Sequence, residues 1–112
     1  ILKSEAEIDW YLSAIEIDRR IRAFNPFPGS TSSLDGEQMK LWNSCLPSKA
    51  QIYPDAIPGQ VLDFSEHGVY VQCGDGVIEV LEMQKPGGKK IAASACLQSY
   101  RAQEKIMQFK KD

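Results

Sequence analysis

The sequence predicts a mainly β fold with helices at both ends, its strands closing into a small five-stranded barrel. Three observations carry that expectation. Short strand-like runs are crowded between residues 30 and 84, and glycine-containing turn signals separate them. Helical periodicity is confined to the two ends of the chain. One long proline-bearing loop interrupts the strands, as suits a closed or partly closed barrel.

The elements follow in order. Residues 1–12 form a charged lead-in, in which Ile8 and Trp10 can dock on a core. Ser13 and Glu16 make an S-x-x-E capping box, and Ala14, Ile17, Ile21 and Phe24 then recur at helical spacing. Asn25 precedes Pro26 and is pushed out of the α region, so the helix stops there. Pro28-Gly29 suits a type II turn that redirects the chain. "STSSL" (30–34), Asp35-Gly36 and "EQMKLWNSCL" (37–46) read as a hairpin with the D-G pair as its turn. Residues 47–58 hold three prolines and form an irregular loop. "GQVLDF" (59–64), "SEHG" and "VYVQC" (69–73) give strand, turn and strand, and "GDG" leads into "VIEVLEMQ" (77–84). Gly87-Gly88 ends that strand, and Ser94 is placed to cap a final helix with Cys96, Leu97 and Tyr100 inward. The tail, residues 101–112, carries four basic and two acidic residues and either extends that helix or frays. The domain proper is thus 13–100, between a lead-in (1–12) and a charged tail (101–112).

Composition narrows the function classes. With 112 residues the chain holds one domain, and a hydrophobic fraction of 43% supports a packed core. A net charge of −2 does not announce a nucleic-acid binder, so that function needs basic residues gathered on one face. Cys45, Cys73 and Cys96 are odd in number and far apart, which argues against a disulfide framework or a zinc site and fits a reducing cytoplasm. No run of eighteen apolar residues offers a membrane span. The first residue is not Met, which suggests a piece of something longer.

No residues suggest catalysis. His67, the single histidine, lies in the "SEHG" turn and reads as a surface residue. "GGKK" lacks the spacing and the Ser/Thr of a P-loop, and no Ser or Cys sits in a nucleophile motif. The binding inventory is fuller. Lys85, Lys89 and Lys90 stand in "QKPGGKKIAAS", which contains no acidic residue, and the glycines let backbone N–H groups approach a phosphate. Lys40 and Trp42 share a strand face, the pairing that a stacking surface for nucleic acid uses, although Leu46 on the same face favours Trp42 as core. Tyr70 alternates against Val69 and Val71 and is placed outward. Arg22 and Arg19 point away from the apolar stripe of the first helix and Arg20 borders it. Glu16–Arg20 and Asp18–Arg22 are equally i,i+4 pairs that stabilise a helix.

The residues also carry a family likeness. "IDW" (8–10), "IRAFNPFPG" (21–29), "MKLWNS" (39–44), "PGQVL" (58–62), "VQCGDGVIEV" (71–80) and "MQKPGGKK" (83–90) stand in the order found in the C-terminal domain of the methionyl-tRNA formyltransferases, and from Ile8 to Leu97 the chain resembles it. The resemblance implies an OB-like five-stranded barrel that helps hold tRNA. It also implies an N-terminal Rossmann-like catalytic domain as partner, which moves a formyl group from formyl-tetrahydrofolate to initiator methionyl-tRNA in the cytoplasm. The family's catalytic Asn, His and Asp belong to that other domain, so this fragment is expected to be inactive alone and to bind no cofactor or metal. The RNA-binding residues implied are Lys89, Lys90, Arg22, Lys40 and Lys85. Phe27 replaces the family's frequent Trp, and the tail lacks the glycine-containing ending of the family. The C-terminal domain of a sugar-nucleotide formyltransferase and a free-standing OB-like interaction module are the alternatives; the lysine pair after "MQKPGG" favours the tRNA enzyme.

Overall fold

A computed structural model describes residues 3–49, 52–104 and 106–111; of the lead-in, the long loop and the tail, residues 1–2, 50–51, 105 and 112 lie outside it. A single helical turn, α1 (Lys3–Ala6), precedes α2 (Ala14–Ala23). Ser13 caps α2 as its sequence predicts, its Oγ accepting the Glu16 N–H at 3.2 Å. Ile17 and Ile21 are buried against the sheet, and the helix ends just before Asn25-Pro26. Gly29 has φ +83°, and a Cβ there would lie 2.8 Å from the Trp42 ring, so this turn needs a glycine on both counts. Ile21→Ala leaves a cavity in a fully buried site and is expected to cost about 2–5 kcal/mol, read by chemical denaturation.

All five expected strands are present. They are β1 (Ser30–Leu34), β2 (Glu37–Cys45), β3 (Val61–Phe64), β4 (Val69–Gln72) and β5 (Val77–Gln84). Asp35 (φ 53°) and Gly36 (φ 83°) both adopt positive φ between β1 and β2, which is why a D-G pair marks the hairpin. Two further strands of two residues each join them, β6 (Ile91–Ala92) and β7 (Phe109–Lys110). Between β6 and β7 lie α3 (Ala93–Cys96) and α4 (Gln98–Ala102). The antiparallel sheet curls in the order β3-β4-β5-β2-β1-β7, with β6 on β5.

The tail departs from expectation. Only Arg101 and Ala102 prolong the helix: α4 stops at Ala102 and the chain returns to the sheet. β7 pairs with β1 through Ser33↔Lys110 and Leu34↔Phe109. On its other side the Phe109 N–H donates to the Gly59 carbonyl at 2.7 Å, and the Val61 N–H donates to the Met107 carbonyl at 2.9 Å. One short segment therefore joins the two edges of the sheet and closes the barrel. Met107 and Phe109 alternate inward while Lys110 stays exposed, a period-two pattern inside a charged stretch. Gly59 makes the approach possible, since a Cβ there would meet the Phe109 carbonyl oxygen at 2.3 Å.

Ser94 is a second correction. Ala92 occupies the cap position of α3, and the Ser94 hydroxyl instead donates to the Glu66 carbonyl at 3.1 Å, tying the helix to the "SEHG" turn. Leu46 is exposed and Tyr70 half-buried.

The core gathers Met39, Leu41, Val69, Val71, Ile78, Val80 and Met83 from the sheet with Ile17 and Ile21 from α2. Ile8 and Trp10 of the lead-in dock on it, as expected. The Trp10 and Phe109 rings stack with centroids 5.3 Å apart, and the Trp10 indole N–H donates to Ser32 Oγ at 2.9 Å.

Candidate nucleic-acid interface

The pairing of β2 with β5 slips between Leu41 and Asn43, leaving Trp42 as the extra residue of a β-bulge. Both Leu41 and Trp42 are consequently buried, but on different terms. Leu41 belongs to the core, whereas Trp42, 8% exposed, lies outside the core cluster. Its ring is covered instead by two ammonium groups: Lys90 Nζ lies 4.4 Å and Lys40 Nζ 5.4 Å from its centroid. Trp42 is thus buried, as the sequence favours, but apart from the main cluster, and it is no open stacking platform. It is a seat for cations.

Hydrogen bonds hold that seat from two sides. The indole N–H donates to Gln84 Oε1 at 2.9 Å, and the Gln84 amide donates onward to the Gly88 carbonyl at 2.8 Å. Gln84 therefore locks the glycine turn that delivers Lys89 and Lys90, and Gly87 takes φ +71° within it. From the other side, Asn25 Nδ2 donates to the Trp42 carbonyl at 2.8 Å, pinning the end of α2 to β2.

Arg22 sits one turn back from Asn25. It forms a fork with Asp18, Nε and Nη2 lying 3.1 Å and 2.9 Å from Oδ2, while Ser44 Oγ donates to Oδ1 at 2.7 Å. Arg20 lies 3.9 Å from Glu16, a loose exposed pair. Among the described residues no carboxylate pairs with Lys40, Lys89 or Lys90. Of the five basic residues singled out in the sequence, Lys40 and Lys90 meet at the indole, Lys89 adjoins Lys90 in the chain, and Arg22, on α2, is joined to β2 through Asp18 and Ser44. Lys85 meets a different ring. Its Nζ lies 5.5 Å from the Tyr100 ring, whose hydroxyl bonds to the Glu37 carboxylate.

Asn25, Ser44 and Gln84 organise this face and were not legible as site residues. Asp18 was legible only as a helix salt-bridge partner. A polar residue before a proline and a glutamine ahead of P-G-G were the available signals, and neither names its distant partner.

Among the described residues the thiols are not arranged for nucleophilic chemistry. Burial pushes the Cys73 thiol up to about 12. Burial first, and then the Glu79 carboxylate, also raise Cys45, whose Sγ donates to Glu79 Oε1 at 3.5 Å. Thiols held above their ordinary values are poor nucleophiles at neutral pH. His67 is exposed, 3.6 Å from Glu66. Among the described residues no three His, Cys, Asp or Glu side chains gather as a metal site, and no helix is long and apolar enough to cross a membrane.

Comparison with known proteins places the fold in a family. A sequence model for "Formyl transferase, C-terminal domain" matches residues 1–101. The methionyl-tRNA formyltransferase of Polynucleobacter necessarius subsp. necessarius is 62% identical over 109 residues, which are 97% of this chain and 33% of that protein. The methionyl-tRNA formyltransferase of a Janthinobacterium species is 43% identical over 110 residues, 96% of this chain and 34% of that protein. The chain thus spans about a third of the length of these curated relatives and matches their C-terminal part. The crystal structure of HypX from Aquifex aeolicus in complex with tetrahydrofolic acid superposes with a TM-score of 0.72 at 20% identity, covering 88% of this chain and 18% of that one. That likeness is one of fold. With a family match along nearly all of the chain and relatives of high identity, this chain belongs to the formyl transferase C-terminal domain family.

Proposed function

We propose that this chain is the tRNA-binding C-terminal domain of a cytoplasmic methionyl-tRNA formyltransferase. Residues 1–12 are then the end of an interdomain linker, and the domain runs from Ser13 through the strand that closes the barrel. The catalytic domain of the same protein receives formyl-tetrahydrofolate and carries out the transfer. This domain contributes position. The observation that carries the reading is the convergence of Lys40 and Lys90 on Trp42, beside Lys89, with no ion pair to a carboxylate among the described residues.

Such a face suits a phosphate backbone better than a base sequence. Ammonium groups attract phosphates without reading bases, so they set the register and orientation of the tRNA and leave recognition of the initiator to other contacts. Seating two of them over one ring limits the volume they must search and presents charge at a defined place. Gln84, bonded to both the ring and the glycine turn, keeps Lys89 and Lys90 in step with Lys40. Lys85, directed at Tyr100, contributes to the general potential of the surface.

The test uses the full-length protein. Replacing both Lys89 and Lys90 by Ala is expected to lower kcat/KM for initiator methionyl-tRNA and leave folate binding alone. It should also make the slope of log K against log salt shallower by about one to two units, as two lost phosphate contacts require. An unchanged slope, or weakened folate binding beside intact tRNA binding, would contradict the proposal.

A further inference from the structure

Asp18 raises a question that helix stability does not answer. It is 6% exposed on a helix that otherwise turns its charged side chains to solvent. An ion pair between a buried carboxylate and an exposed guanidinium is a weak source of stability, because desolvation of the one and solvent screening of the other offset most of the attraction. The geometry points to another role: we propose that Asp18, together with Ser44, is a positioning residue that holds Arg22 as a fixed phosphate-binding fork on the face carrying Lys40 and Lys90. The inference rests on the tRNA reading above and deepens it.

Every polar contact at Asp18 serves that arrangement. Oδ2 accepts from both Nε and Nη2 of Arg22, which sets the plane of the guanidinium. Oδ1 accepts from Ser44 Oγ, which sets the carboxylate relative to β2. Ser44 lies two residues beyond Trp42, and Asn25, on the same helix end as Arg22, donates to the Trp42 carbonyl. Arg22 and the two lysines over the indole therefore belong to one rigid unit, sewn together at two points. A guanidinium has five N–H donors, and the Asp18 contacts occupy two of them. The Arg22 side chain remains 60% exposed, so its outer donors are open to a ligand. A pre-oriented guanidinium loses less freedom when it meets a phosphate than a mobile one.

Charge counting predicts the opposite of this proposal, which makes the test sharp. If Asp18 only cancels Arg22, then Asp18→Asn removes a negative charge from a polyanion-binding face and tightens tRNA binding. If Asp18 positions Arg22, the same change weakens it. We expect Asp18→Asn in the full-length protein to weaken initiator methionyl-tRNA binding on the order of tenfold, the worth of one charge-assisted hydrogen bond. Arg22→Lys, which keeps the charge and loses the fork, should weaken binding by a similar factor at an unchanged salt slope. Ser44→Ala, which leaves both charges in place, should cause a smaller loss and guards against a poorly folded Asp18→Asn. The Arg22 Nε–H signal, followed by nitrogen-15 NMR, should be protected from exchange in the wild type and exposed in Asp18→Asn.

Binding by Asp18→Asn that equals or exceeds the wild type, while the Lys89/Lys90 double variant still loses affinity, would overturn the positioning role and leave the tRNA reading standing. If no variant changes tRNA affinity, Lys89/Lys90 included, the tRNA reading falls and this inference with it.

Discussion

Phe109→Ala is expected to destabilise this domain by about 3–5 kcal/mol, a large share of the stability of an ordinary domain. Phe109 is 1% exposed, stacks on Trp10, and lies in the segment that joins β1 to β3. Its removal takes a filled ring out of the core at the one place where the barrel closes. The segment rests on few backbone hydrogen bonds, so the ring is its principal anchor, and without it both sheet edges open to water. Thermal unfolding should show Tm lowered by on the order of 15 °C or more. Phe109→Leu, which keeps an apolar filling, should recover most of the loss. An Ala variant as stable as the wild type would mean that the tail is dispensable and that β1 and β3 stand as free edges.

Trp42→Ala should act on stability and on binding together. Loss of a buried indole costs about 3–5 kcal/mol where the site cannot collapse, and Gly29, whose backbone lies against the ring, has no side chain to fill the gap. The variant also unseats Lys40 and Lys90 and frees the Gln84 side chain that orders the glycine turn. In the full-length protein, affinity for initiator methionyl-tRNA should fall even at temperatures where the variant remains folded. Trp42→Phe separates the two effects. It keeps an aromatic face for the ammonium groups, at about 0.5–1 kcal/mol each for exposed pairs, while losing the hydrogen bond to Gln84. Binding by Trp42→Phe close to the wild type, with Trp42→Ala weak, identifies the ring face as the feature that matters. Equal losses in both would place the weight on Gln84 and the turn.

How much of this was legible in the sequence depended on the range of the interactions concerned. Ser13 announced a helix start because its partner, the Glu16 N–H, is three residues away. Asp35-Gly36 announced a hairpin because positive φ is a property of those two residues. Strands β3, β4 and β5 followed from β-branched runs between turns, and the lysines of the glycine turn stood out because no acid lies near them in the chain. The family likeness extended this to the barrel as a whole. The stretch "RAQEKIMQFKKD", in contrast, was read by its charge, and the alternation of Met107 and Phe109 within it was too short to compete with that signal.

The chain by itself thus determined where helices begin and stop, where hairpins turn, and which basic residues lack a local partner, because each rests on backbone preference or on neighbours within a few residues. Only the tertiary structure decided that the tail closes the barrel, that Trp42 bulges out of register to seat two lysines, that Lys85 turns to Tyr100, and that Asp18 is buried. Each of these depends on what another part of the chain places opposite: β1 and β3 for the tail, β5 for Trp42, Ser44 for Asp18. The physical reason is that burial and long-range hydrogen bonding belong to pairs of residues far apart in sequence, and local pattern carries no record of the second member.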